Sequence, residues 1–232
     1  MLSVFADGIP RVPPIVMFRG KGGRLGNESD SYNPGIEVIF NENAYMNDLV
    51  VLNYIKNFLV LAFSGRPTLF SLDLMGSHKT LAVLEKFKSH NITRSLITGR
   101  CTSLIQLLDV AINKPFKHIM RELMDEEILP IESAETFHKW IIPDRRILTT
   151  TCVGHAFYRV HPEKADIIQR VFRNVGLSLP IDGSCDSELE ITGFTGLDIA
   201  NWREDFETID EEAEILETCD NDEGIDFIPS QE

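Results

Sequence analysis

An α/β fold is what this sequence predicts, and three observations carry the prediction. Thr68-Leu69-Phe70-Ser71-Leu72 is an almost unbroken apolar run that ends in Asp73, the pattern of a strand covered on both faces. After the turn Met75-Gly76-Ser77-His78-Lys79-Thr80, apolar residues switch to helical spacing at Leu81, Val83, Leu84 and Phe87. A second strand-like run follows at Ile92–Ile97, so strand, helix and strand alternate as in a parallel sheet.

The elements around this centre are read in chain order. Leu2–Phe5 and Ile15–Phe18 are short apolar runs split by Asp7-Gly8-Ile9-Pro10 and Pro13-Pro14, which predicts an antiparallel hairpin. Residues 19–35 hold Gly, Asn and Ser with no apolar period and read as a loop. Their glycines lack the spacing and the Lys-Ser/Thr pair of a phosphate-binding loop. Ile36–Phe40 alternates as a third strand, and Asn47 caps a helix running from Asp48 to about Phe63. Beyond Ile97, Leu104–Leu108 leads to Asp109, a second carboxylate at the end of an apolar stretch. Pro115 then opens a helix for which Asn113 is the expected cap. Further helices are expected over Ala134–Ile142, Asp144–His161 and Pro162–Asn174.

At 232 residues and 43% hydrophobic content, the chain can bury one substantial core. No run of apolar residues is long enough to span a bilayer, and Met1–Val4 does not start a leader, so the chain reads as soluble and unsecreted, with no membrane partner. Cys101, Cys152, Cys185 and Cys219 are too far apart for a zinc finger and read as reduced thiols. His138, Trp140, His155 and His161 read as packing or surface residues.

The net charge of -14 is unevenly spread. Glu204–Glu232 carries 13 acidic residues and no basic one, leaving the rest of the chain near neutral. Within that remainder, Lys79–Arg121 holds eight Lys or Arg against Glu85 and Asp109, a density suited to a phosphate backbone. The tail is too acidic for a core and is expected to be disordered, with Trp202, Phe206, Ile209, Ile215 and Leu216 as a possible contact for a protein partner.

Asp73 at the carboxyl end of a strand stands where open α/β sheets place their chemistry. Asp109 lies near a strand end and a helix start, and two converging carboxylates suit hard divalent cations. Spacing alone leaves open that each carboxylate simply caps a helix or pairs with an arginine.

Residues 68–80, TLFSLDLMGSHKT, and 98–117, TGRCTSLIQLLDVAINKPFK, resemble the second and third acidic motifs of DDE superfamily endonucleases of the pogo and Tigger type, relatives of centromere protein B and jerky. The shared pattern is an Asp after an apolar strand, a His five residues on, and Thr-Ser-Leu-x-Gln ahead of a second Asp, with 35 residues between the two acids. Similarity runs from about Leu2 to His118 and resumes over 145–184.

The resemblance implies a transposase-derived, metal-dependent DNA nuclease in the nucleus, acting on DNA and able to dimerise. It implies an RNase H-like mixed sheet flanked by helices, with Asp73 and Asp109 as metal ligands for Mg²⁺ or Mn²⁺. His78, Lys79, Arg100, Gln106, Lys114 and Lys117 become the DNA-contacting neighbours. It also implies that the family's first strand and first aspartate have no counterpart here. The expectation is therefore an N-terminally truncated core that does not cut DNA, or a domesticated, non-catalytic DNA- or chromatin-binding module. In a third reading Asp7 or Glu42 supplies the missing ligand, although Asp7 matches a hairpin turn. Leu107 and Arg100 depart from the family's usual Pro and Gly or Pro in the loop that aims Asp109. The expected division is a core over 1–127, a helical extension over 128–185 and an acidic tail over 186–232.

Overall fold

The computed structural model describes residues 1–23, 25–73, 75–97, 101–128, 140–191 and 193. Strand β1 (Ile15–Arg19) follows two prolines that hold the chain extended, and it pairs in parallel with β2 (Glu37–Asn41), Ile15 opposite Glu37 and Arg19 opposite Asn41. Between them a 3₁₀ turn, Glu28–Ser31, brings Glu28 inward.

Helix α1 (Asp48–Tyr54) starts where Asn47 accepts the Val50 amide at 3.0 Å, as its sequence position predicts. It continues through a π-turn, Ile55–Leu59, into α2 (Val60–Phe63) and stops at Ser64, a non-glycine residue with a left-handed φ of 51°. Strand β3 (Thr68–Asp73), a 3₁₀ turn at Gly76–His78, helix α3 (Leu81–Lys88) and strand β4 (Ile92–Ile97) form a βαβ unit. Its strands run parallel with Asp73 opposite Ile97. Ile55, Leu59 and Val83, all fully buried, form one core, which Phe63, Phe70 and Phe87 extend ring to ring.

The second core lies between the later helices. After α4 (Thr102–Ile105) and a π-turn at Leu108–Ile112, α5 (Asn113–Ile128) packs against α6 (Ile142–Asn174). Ile112, Phe116 and Ile119 meet Phe157, Val160 and Ile168, with Val16 of β1 and Ile36 alongside.

Three expectations are corrected. The hairpin reduces to one pair, in which the Met1 amino group donates to the Ile15 carbonyl at 2.6 Å and the Ile15 amide to the Met1 carbonyl at 2.9 Å. Leu2–Phe5 is not a strand, and β1 takes β2 as its partner instead. Asn113 does not cap α5, because helical backbone enters from the π-turn and the Asn113 amide donates back to Leu108. Such a wide turn loosens the ladder where Pro115 removes a donor. The helices expected on either side of Pro162 are one. Pro162 lies on the exposed face, as does Tyr158, whose carbonyl loses its partner to the proline and can turn to water. Residues 134–139 of the expected Ala134–Ile142 helix, His138 among them, and residues 192 and 194–232 of the expected tail lie outside the described residues; the start of that tail forms a 3₁₀ turn at Asp186–Glu188, where Glu188 pairs with Arg173, while His155 is exposed and His161 buried. Among the described residues, no helix is long and apolar enough to cross a membrane.

Candidate active site

Asp73 is the last residue of β3, so its side chain emerges at the carboxyl end of a parallel pair. Its side chain is partly exposed, at 38%, yet one carboxylate oxygen, Oδ1, is buried without a hydrogen-bond partner. His78, 6% exposed on the following 3₁₀ turn, faces it. The His78 Nδ1 lies 3.1 Å from the Asp73 carbonyl oxygen and 2.9 Å from Oδ1. Both neighbours are acceptors, so Nδ1 carries the proton. The hydrogen-bond geometry favours the carbonyl, which leaves Oδ1 in ionic reach but unsatisfied. Arg94 of β4 donates to the His78 carbonyl at 3.4 Å and fixes the turn from the neighbouring strand. The sequence showed Arg94 only as one charge of a basic segment; its place one strand over could be read only with the βαβ pairing in hand.

Unpaired polar atoms concentrate here. Among the described residues the buried side-chain atoms without partners are Ser71 Oγ, Asp73 Oδ1, Ser77 Oγ, Thr80 Oγ1 and, elsewhere, His161 Nε2. Native interiors rarely leave such atoms unsatisfied, and each costs about 1–3 kcal/mol, so four within ten residues mark a functional or incompletely covered region.

A cavity of about 500 Å³ opens beside β3. Asp73, His78, Gln106 and Leu107 are in its wall, which brings three of the expected site residues to one space. Asp109 is not in that wall. It sits exposed on the π-turn, where its Oδ1 accepts the Asn113 side-chain amide at 2.6 Å. Lys114 and Lys117 are exposed on α5 and share with Arg121 the stripe opposite the buried Phe116 and Ile119. Lys79 is exposed beside His78, and Arg100 lies outside the described residues. Asp7 occupies a turn, where the Arg11 guanidinium holds its carboxyl below the usual carboxylate range, and Glu42 pairs with Lys21 at 3.3 Å.

The profile of the family described as DDE superfamily endonuclease matches residues 1–142. The chain belongs to the DDE superfamily of endonucleases. Neither a curated protein nor a solved structure matches it. Membership identifies a nuclease domain related to transposases, whose relatives act on DNA and generally use divalent metals. A carboxylate oxygen without a hydrogen-bond partner suits a hard cation, but the His78 Nδ1 stands 2.9 Å from it, and among the described residues no three His, Cys, Asp or Glu side chains stand close enough to hold a metal together. The chemistry of Asp73 fits one ligand, and among the described residues a full DDE donor set is not assembled around it.

Proposed function

We propose that this chain carries the second and third acidic positions of a pogo- or Tigger-type DDE endonuclease, Asp73 and Asp109, on part of an RNase H-like sheet. The carrying observation is Asp73 itself, a carboxylate at the carboxyl end of a parallel strand whose buried Oδ1 lies 2.9 Å from the His78 Nδ1 and has no hydrogen-bond partner. In this reading His78 is a positioning residue that holds the Asp73 backbone and side chain in one orientation. Gln106 lines the same space, Lys79 is exposed beside His78, and Lys114, Lys117 and Arg121 supply an exposed basic stripe for the phosphate backbone of DNA. The reading places a further central strand between β1 and β3. It gives the chain a nuclear site of action, dimerisation as in related transposases, and a protein partner for the acidic tail.

The proposal extends to activity: residues 1–232 bind DNA without cutting it, because the resemblance assigns only two acidic positions to them. Plasmid nicking in Mg²⁺ or Mn²⁺, beside Asp73→Ala and Asp109→Ala, tests this. Bound but uncut DNA is the expected result. Nicking that both substitutions abolish would show a complete site and refute the inactive reading, and a folded chain with no affinity for DNA would refute the nucleic-acid role.

A further inference from the structure

Three arginines are partly buried among the described residues, and two of them have a counter-ion. Arg146 pairs with Glu28 and Arg173 with Glu188. No carboxylate among the described residues pairs with the third, Arg94. Arg19, Arg66, Arg121 and Arg170 are exposed, so water can stand in for an anion there. A partly buried guanidinium gives up some of that hydration and needs an anion in return. A guanidinium offers five N–H donors in a planar fork. Among the described residues the acceptor that Arg94 meets is the His78 carbonyl, at 3.4 Å, longer than an ordinary N–H···O bond. Most of its donors are therefore unused.

The position of this charge follows from the strand register. Arg94 lies opposite Phe70, which packs against Phe63 and Phe87. Its stem starts on that covered face, three residues before β4 ends, and its head reaches the turn that follows β3. The residue whose carbonyl it meets there, His78, also sets its ring against Asp73, with Nδ1 3.1 Å from the Asp73 carbonyl oxygen. One histidine thus touches both the unbalanced cation and the acidic residue at the end of the strand. The fork of a guanidinium matches two oxygens of a phosphate, and the family to which the chain belongs acts on DNA, a chain of phosphodiesters.

We infer that Arg94 is a phosphate-binding residue that holds one phosphodiester of the nucleic-acid strand beside Asp73 through two parallel N–H···O bonds. The inference rests on the nucleic-acid reading above and adds to it a contact on β4, apart in sequence from the α5 stripe. Its role differs from that of the stripe. Exposed lysines act as point charges on flexible stems, whereas a fork seated on a strand fixes where the backbone lies relative to Asp73.

The test measures duplex DNA affinity of the full chain across a salt series, beside Arg94→Gln and Arg94→Lys. Glutamine keeps an amide donor for the His78 carbonyl and loses the charge; lysine keeps the charge and loses the fork. For Arg94→Gln the expected result is affinity lower by about tenfold or more at low salt and a log-log slope shallower by about 1, with an unchanged midpoint in urea unfolding. Arg94→Lys should keep the slope of the intact chain and bind more weakly than it does. In the intact chain the Arg94 Nε–H signal in nuclear magnetic resonance, assigned by its absence from Arg94→Lys, should shift saturably as DNA is added. This readout decides the matter if Arg94→Gln does not fold. A slope that Arg94→Gln leaves unchanged, or an Nε–H signal that DNA does not move, would overturn the inference while the intact chain still binds DNA. Absence of DNA affinity in the intact chain would instead refute the nucleic-acid reading itself, and this inference with it.

Discussion

Glu28 joins the loop between β1 and β2 to helix α6 through one side chain. Its carboxylate accepts two hydrogen bonds from Arg146, each 2.6 Å, and one from the Tyr32 hydroxyl, while the Arg146 guanidinium lies 5.4 Å from the Phe40 ring centre. With the Glu28 side chain only 5% exposed, removing one partner strands a buried charge. Arg146→Ala is expected to cost about 3 kcal/mol in urea unfolding, and Glu28→Gln together with Arg146→Ala less than the sum of the two singles. The arginine holds the Glu28 carboxyl below its ordinary value of 4.5. Its contribution is present above that value and is lost as pH falls through the lower folded-state one. His161 acts at a different pH. Its Nδ1 donates to the Phe157 carbonyl at 2.8 Å, its Nε2 is unpaired, and burial lowers its pKa from 6.5. The unfolded chain therefore takes up a proton that the folded chain resists, and stability declines as pH drops below about 6.5. In His161→Phe the unfolding midpoint should lose that part of its slope between roughly pH 7 and 5.5; an unchanged slope would assign it to other groups.

Among the elements, α6 is held to the loop at 33–35 by close approach. A Cβ built on Gly154 would stand 2.5 Å from the Asn33 side chain, whose oxygen accepts the Gly35 amide at 2.8 Å. Gly154→Ala should destabilise the fold by about 1–3 kcal/mol through overpacking, measured by thermal unfolding; a neutral effect would mean the loop shifts freely. Local pattern made β3, α3, β4 and the Asn47 cap legible in the sequence, because each rests on its own period or capping residue. The partner of β1 was not legible. Two prolines and a turn favoured a hairpin, but a parallel pairing spans a long loop that carries no local signal. Pro162 misled for a related reason: its breaking power depends on whether the freed carbonyl faces water, which is a property of packing.

At the scale of the whole molecule, two helix-covered parallel pairs flank a cavity that ends at Asp73, and a basic stripe lies on α5. Asp73, His78 and Gln106 were named from sequence and border one space, at the end of β3, in the turn that follows it and just after α4. The orientation of Asp109 was not legible, since the π-turn that carries it arises from Pro115 and not from the acidic motif. Filling or emptying the first core should affect the whole fold: Ile55→Ala, at a fully buried site, is expected to cost about 2–5 kcal/mol. The most direct measurement of the nucleic-acid role is duplex DNA affinity across a salt series, for the chain and for Lys114→Ala with Lys117→Ala. The account predicts a log-log decline of affinity with salt, and a slope shallower by about 1–2 in the double variant. Affinity that is absent at low salt, or a slope the two substitutions leave unchanged, would contradict it.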